Sequence, residues 1–175
     1  MKRRKRIPGG IFALVIALAI LARTSLVITH TTVYGNSMQP TMEDGDHLII
    51  NRLSYLNGKP ERFDIVIFPY QYKSDTYYIK RVIGLPGERI RINEDGIIYV
   101  NGNILIEHYG NAAIMDGGLA SKEIILAEDE YFVLGDNRND STDSRDPEVA
   151  NIKEGDIVGK AWACIWPFER WGTFQ

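Results

Sequence analysis

With one cysteine, Cys164, in 175 residues, the chain can form no intramolecular disulfide to staple its fold. Histidine is scarce too: His30, His47 and His108 are the only three. Acidic residues are missing from the first 30 positions, which hold six of the 20 basic residues. The remaining 145 positions carry the other 14 basic residues against all 23 acidic ones, a net of −9. A body that acidic lacks the basic face that nucleic-acid binding needs, so nucleic acid is excluded as a partner. Repeats and low-complexity tracts are absent. At 45% hydrophobic and 25% charged, the composition excludes disorder and collagen-like structure, and the length fits one domain.

What is present begins with a charge cluster. Lys2 to Arg6 are consecutive basic residues, followed by Pro8-Gly9-Gly10 and an unbroken apolar run from Ile11 to Ala22. Arg23, Thr24 and Ser25 interrupt the run, and Leu26-Val27-Ile28 resumes it. Taken to Thr29, the segment would make roughly 28 Å of helix, close to the ~30 Å of a bilayer's hydrocarbon core. Arg23 lies in the last third, where its side chain can snorkel to the interface. Basic residues stay on the cytoplasmic side. The expected layout is therefore a cytoplasmic basic N-terminus over residues 1–10, a transmembrane anchor over 11–29 and an extracytoplasmic domain over 30–175. A cleaved secretory signal competes with this reading. Its small-residue motif, Ala17-Leu18-Ala19, falls inside the apolar run and not after it, which favours a retained anchor in the cell membrane.

The body reads as mainly β. Short runs rich in Val, Ile, Tyr and Phe alternate with turn signals, and no 3.6-residue period is sustained. Strands are expected at His47–Arg52, Asp64–Pro69, Thr76–Gly84, Arg89–Ile92, Gly96–Val100, Ile104–Glu107, Glu123–Ile125, Tyr131–Gly135 and Ile157–Ile165. Glu94-Asp95-Gly96 and Asn101-Gly102-Asn103 are hairpin-type turns, and residues 109–121 form a Gly- and Ala-rich loop. Many short strands without alternating helices predict a barrel or sandwich.

Three islands exceed the needs of a β scaffold: Gly35 to Met42, Tyr78 to Glu88 and Gly135 to Arg145. Each has a plain structural reading. Ser37 could simply cap the turn before Pro40. Lys80 could be a strand lysine turned to solvent, and the third island an ion-paired surface loop. A calcium loop is disfavoured, because Arg138 takes the third ligand position counted from Asp136.

Taken together and in order, the islands resemble the bacterial type I signal peptidases, membrane-anchored serine–lysine proteases. The carrying motifs are Ser37-Met38-Gln39-Pro40-Thr41, then Gly45-Asp46 with the following Leu48-Ile49-Ile50. Lys80-Arg81-Val82-Ile83-Gly84-Leu85-Pro86-Gly87 comes next, and Gly135-Asp136-Asn137-Arg138 with Ser141 and Asp143-Ser144-Arg145 closes the set. The short stretch between Lys80 and Gly135 implies that the large second domain of some relatives is absent.

A serine hydroxyl needs an adjacent base, and no histidine is well placed to be one. Asp46 and His47 are strand neighbours whose side chains point to opposite faces, which disfavours a triad. A lysine base must be neutral, yet at its ordinary pKa of about 10.4 only ~0.04% is neutral at pH 7. Apolar neighbours Tyr78, Ile79, Val82 and Ile83 offer the desolvation that lowers it. The resemblance implies Ser37 as nucleophile and Lys80 as general base, with Ser141 hydrogen-bonding and orienting the lysine. It also implies that Asp143 and Arg145 pair to hold their loop, with Asp136 in support.

By the same resemblance, Val33, Met38, Met42, Tyr78 and Ile79 line shallow pockets for small side chains, typically Ala, at the first and third positions before the cut. The substrate is a signal peptide of a secretory preprotein, bound as an added strand. No metal ion or cofactor is implied. Gly35 stands where many relatives have a serine in the oxyanion hole, so that hole would rest on backbone N–H groups, chiefly that of Ser37. All three Trp fall within residues 162–171, fitting either a lipid-interface contact or a core. Two rivals remain: a self-cleaving Ser–Lys peptidase of the repressor type, which the N-terminal segment disfavours, and a membrane-anchored scaffold, which would not need Ser37 and Lys80.

Overall fold

The computed structural model describes residues 28–56 and 58–174. Among the described residues, twelve strands form two antiparallel sheets. In chain order they are β1 (Ile28–Thr32), β2 (His47–Asn51), β3 (Ile65–Pro69), β4 (Tyr77–Gly84), β5 (Arg89–Ile92), β6 (Ile98–Val100), β7 (Asn103–Ile104), β8 (Ile124–Ile125), β9 (Glu130–Leu134), β10 (Ile152–Lys153), β11 (Gly159–Trp166) and β12 (Gly172–Thr173). The larger sheet runs β1-β2-β11-β3-β4-β9-β10, with β12 beside β11; the smaller runs β7-β6-β5-β8. The mainly β expectation holds.

Period-2 patterning explains how the layers stack. On β9, Phe132 and Leu134 point one way into a core shared with Ile90, Ile92, Ile98 and Leu126 of the smaller sheet and its surroundings. Tyr131 and Val133 point the other way, to Val66, Phe68, Val82 and Ile152. On β3, Ile65 and Ile67 enter a third cluster with Val33, Met38, Met42, Leu48 and Cys164. Both faces of β3 and the second half of β4 are thus buried, which is why they read as near-continuous apolar runs. The β6–β7 turn is the Asn101-Gly102 pair, with φ of 51° and 78°, as a two-residue type I′ hairpin requires.

Nine strands match the expected runs to within a few residues. β1, β10 and β12 were not expected, each being short or masked by its surroundings. Of the segment expected as an anchor, only its last two residues are described. Ile28 and Thr29 belong to β1, paired with Asn51 and Ile50. Both are exposed, and their pairing with β2 makes them the start of the sheet's edge strand. The rest of the anticipated anchor lies outside the described residues, and among the described residues no helix is long and apolar enough to cross a membrane.

Candidate active site

β1 and β4 bring the two halves of the site together. Among the described residues, β1 pairs only with β2, and Tyr77–Lys80 of β4 pairs only with β3, because β9 joins β4 at Arg81 and beyond. The two single-sided edges face one another across a groove of about 720 Å³. Thr29–Ser37 forms one wall and Lys73–Lys80 the other. Both segments end on the residue of interest, so Ser37 and Lys80 meet where the walls converge.

Ser37 sits in a turn that begins at Gly35, whose φ of +85° is open to glycine at little cost. The turn is pinned from the Gly135–Arg145 loop, where the Asn137 N–H donates to the Ser37 carbonyl (3.1 Å) and Asn137 Nδ2 donates to the Asn36 carbonyl (3.2 Å). Gly135 has to be glycine: a Cβ there would lie 2.4 Å from the Ser37 carbonyl oxygen and 2.2 Å from Ser141 Oγ.

Lys80 Nζ donates to Ser37 Oγ at 2.7 Å and to the Ile79 carbonyl at 3.1 Å. The side chain is 2% exposed, with the Tyr78 ring 5.0 Å from Nζ. Burial strips the ammonium of water and pulls the pKa down to about 8, against the opposing pull of Asp143 and Asp136 and with slight help from Arg145. At that value about a tenth of the lysine is neutral at pH 7. A neutral amine at 2.7 Å from a hydroxyl can take its proton and leave an alkoxide able to attack a carbonyl.

Asp143 is wholly buried and forms the expected pair, accepting from Arg145 Nε and Nη2, both at 2.8 Å, and from the Gly135 N–H at 3.0 Å. Asp136 belongs elsewhere. It accepts from Arg81 Nε (2.9 Å) and Nη2 (2.7 Å) and from Thr41 Oγ1 (2.5 Å), because alternation along β4 turns Arg81 to the face behind Lys80. Arg81 is 1% exposed, with its guanidinium 3.6 Å from the centre of the Tyr109 ring. Neither Arg81 nor Thr41 was singled out from sequence. The signal was there, since a cation inside an apolar strand needs a buried carboxylate.

Two residues sit otherwise than expected in this structure. Ser141 lines the groove, but its buried hydroxyl makes no hydrogen bond and does not bond Lys80, because it packs against Gly135. Met42 is fully buried in the cluster with Val33, Met38 and Leu48 and does not line the groove, whereas Val33, Met38, Tyr78 and Ile79 do. The Gly35 N–H donates to Asp44 Oδ1 at 2.8 Å, which leaves it unavailable to an oxyanion. Asp46 and His47 serve no triad: Asp46 accepts from Arg170, and His47 Nδ1 lies 2.8 Å from His30 Nε2.

Fold and groove thus bring a serine and a buried lysine together in a β-rich domain. The family described as signal peptidase, peptidase S26, matches residues 8–166, and the chain belongs to that family of serine peptidases. It is 39% identical to a signal peptidase I of Bacillus caldolyticus, with all of both chains covered. It is 34% identical to a signal peptidase IB of Staphylococcus aureus (strain COL), covering 94% of this chain and 92% of that one. A crystal structure of a signal peptidase I from Enterococcus faecalis V583 aligns with a TM-score of 0.49 and 33% identity, over 58% of this chain and 96% of the other.

Proposed function

We propose that this protein is a membrane-anchored endopeptidase that removes signal peptides from exported preproteins after small-x-small sites, with Ser37 as nucleophile and Lys80 as neutral general base. One observation carries the reading: a serine and a desolvated lysine 2.7 Å apart, at the convergence of two unpaired strand edges. An extended substrate segment inserted between those edges would satisfy backbone groups on both sides. Buried Val33 and Met38, with half-buried Tyr78 and Ile79, leave shallow apolar space suited to Ala-sized side chains. Neutral Lys80 accepts the Ser37 proton as the hydroxyl oxygen attacks the scissile carbonyl. The resulting ammonium then donates that proton to the leaving amine, and water repeats the sequence on the acyl-enzyme. The backbone N–H of Ser37 is the donor we assign to the oxyanion.

Lys2–Arg6 and the apolar run support an anchor with its N-terminus in the cytoplasm and the groove outside, close to where a signal peptide emerges. The test is cleavage of a preprotein with an Ala-x-Ala site by the detergent-solubilised full chain. Ser37→Ala, Lys80→Ala and Lys80→Arg should each reduce processing to background while the domain stays folded. Arginine fails because its guanidinium keeps its proton. Robust processing by Lys80→Arg would sink the dyad, and a protease-resistant catalytic body in wall-stripped cells would sink the topology.

A further inference from the structure

The short turn Phe168–Arg170 places one cation among exposed aromatics. Trp166, Phe168 and Trp171 are half to two-thirds exposed, with ring centroids 4.8 Å apart for Trp166–Phe168 and 5.9 Å apart for Phe168–Trp171. Trp162, on β11, is 52% exposed as well. Arg170 turns inward from this corner. Its Nε donates to both oxygens of Asp46 (3.0 and 3.1 Å), Nη1 to Glu43 (2.9 Å) and Nη2 to the Thr41 carbonyl (3.3 Å). Asp46 is 2% exposed, and that fork is its ion-pair partner.

All three acceptors lie in the turn that follows Ser37, and this turn holds the nucleophile's approach from several points. The Val33 N–H donates to the Asp46 carbonyl, and the Gly45 N–H donates back to the Val33 carbonyl. Asp44 accepts from the Gly35 N–H, and the Met42 N–H donates to the Met38 carbonyl. Thr41 Oγ1 continues the chain to Asp136, which holds Arg81 beside Lys80. Arg170 is therefore linked through this turn to Met38 and Arg81, the chain neighbours of Ser37 and Lys80.

We infer that Arg170 is a positioning residue that ties a lipid-facing aromatic corner to the turn that seats Ser37, so that seating of the corner in the bilayer surface steadies the nucleophile. The occupant of the corner is lipid because the apolar run of the sequence ends at β1, two strands from β11 in the same sheet. Amphipathic aromatic rings also settle at the headgroup level. The inference rests on the serine–lysine reading above. If the wild type fails to cleave an Ala-x-Ala peptide, or Ser37→Ala cleaves it, that reading falls first and is seen to fall separately.

The experiment uses the full chain in detergent and in vesicles of phosphatidylethanolamine and phosphatidylglycerol, half of them carrying brominated acyl chains. Because all three Trp lie within residues 162–171, tryptophan quenching reports this corner alone. The wild type should be quenched by the brominated lipid and turn over faster in vesicles than in detergent. Arg170→Ala should keep the quenching, lose the vesicle-over-detergent gain and lower kcat roughly tenfold to a hundredfold with little change in KM, the scale of a ~1 Å misplacement at a reacting group. Arg170→Lys should recover part of the loss, since an ammonium can pair with Asp46 but cannot fork to Glu43 and Thr41. If Arg170→Ala does not fold, Arg170→Lys and Asp46→Asn are read in its place for the same pattern. Wild-type kcat in these variants, a lowered kcat that retains the vesicle gain, or an unquenched wild type would each overturn the inference.

Discussion

Lys80 and Arg81 are neighbours on one strand, and the two faces of β4 treat their charges in opposite ways. Both side chains are out of solvent, at 2% and 1% exposure. Behind the strand, Arg81 meets the Asp136 carboxylate in a two-pronged pair, with the Phe63 carbonyl and the Tyr109 ring completing its surroundings. In front, Lys80 meets a hydroxyl and a carbonyl, with no carboxylate in contact. One cation is kept charged and structural. The other is starved of a counter-ion, and its pKa falls to about 8. Withholding a counter-ion from a buried cation favours its neutral form, which is the state that the proposed role of Lys80 as a base requires.

Substituting the two residues by methionine breaks the comparison most severely. Arg81→Met leaves Asp136 buried with one hydroxyl partner and should destabilise the domain by about 3–5 kcal/mol, the scale of a severed buried ion pair. Lys80→Met removes a buried ammonium that no carboxylate contacts. It should abolish cleavage while leaving thermal stability at pH 7 equal to or above that of the wild type. Parallel melts and peptide-cleavage assays would check both, and a Lys80→Met domain as unstable as Arg81→Met would mean that Lys80 is a structural cation after all.

A smaller effect is expected at Ser141. Its hydroxyl is buried, unspent and lines the groove alongside Lys80. Once acylation takes Ser37 away as a partner, the lysine has a hydroxyl in reach only if Ser141 turns toward it. Catalytic hydrogen bonds that are unmade in a free enzyme often form in its complexes. Ser141→Ala should therefore lower kcat by about 10²-fold with KM nearly unchanged and with no loss of stability, since alanine removes an unsatisfied polar group. Equal losses in stability and activity would assign Ser141 to loop packing alone.

The strands and hairpin turns were legible because they follow local rules: period 2, β-branched content and an Asn-Gly turn. The proximity of Ser37 and Lys80 could be anticipated only through the order of their motifs, since nothing local to either distinguishes them from a capping serine and a solvent lysine. What escaped was set by pairing across the chain. Residues Ile28–Thr32 became a strand because β2 offered an edge, not because of their own pattern. Asp136 sits in the same loop as Asp143 but answers to β4, a choice fixed by the face on which Arg81 emerges. Met38 and Met42, four residues apart, share one buried cluster, yet only Met38 also reaches the groove. Arg170 was invisible for the same reason: its partners lie more than a hundred residues earlier.

The gentlest lever on the contrast between the faces of β4 is pH, and its sign follows from Lys80 alone. The folded pKa, about 8, lies below the ordinary lysine value of 10.5, so between those limits the unfolded chain binds a proton that the folded protein does not. Stability should therefore rise as pH climbs from about 8 to 10.5, with the cost of burying the ammonium, about 3 kcal/mol, borne in full below that window. Activity should move in the same direction for a different reason. Below pH 8, kcat/KM should grow about tenfold per unit as the neutral amine accumulates, and it should level off above. Urea melts at pH 7 and pH 9.5 on the wild type and Lys80→Met isolate the stability part, because only the wild type carries the titrating group at that position. If the difference between the two proteins in unfolding free energy does not narrow as pH rises, the amine is not titrating where its burial says it should. A flat kcat/KM between pH 6 and 8 would lead to the same conclusion from the catalytic side.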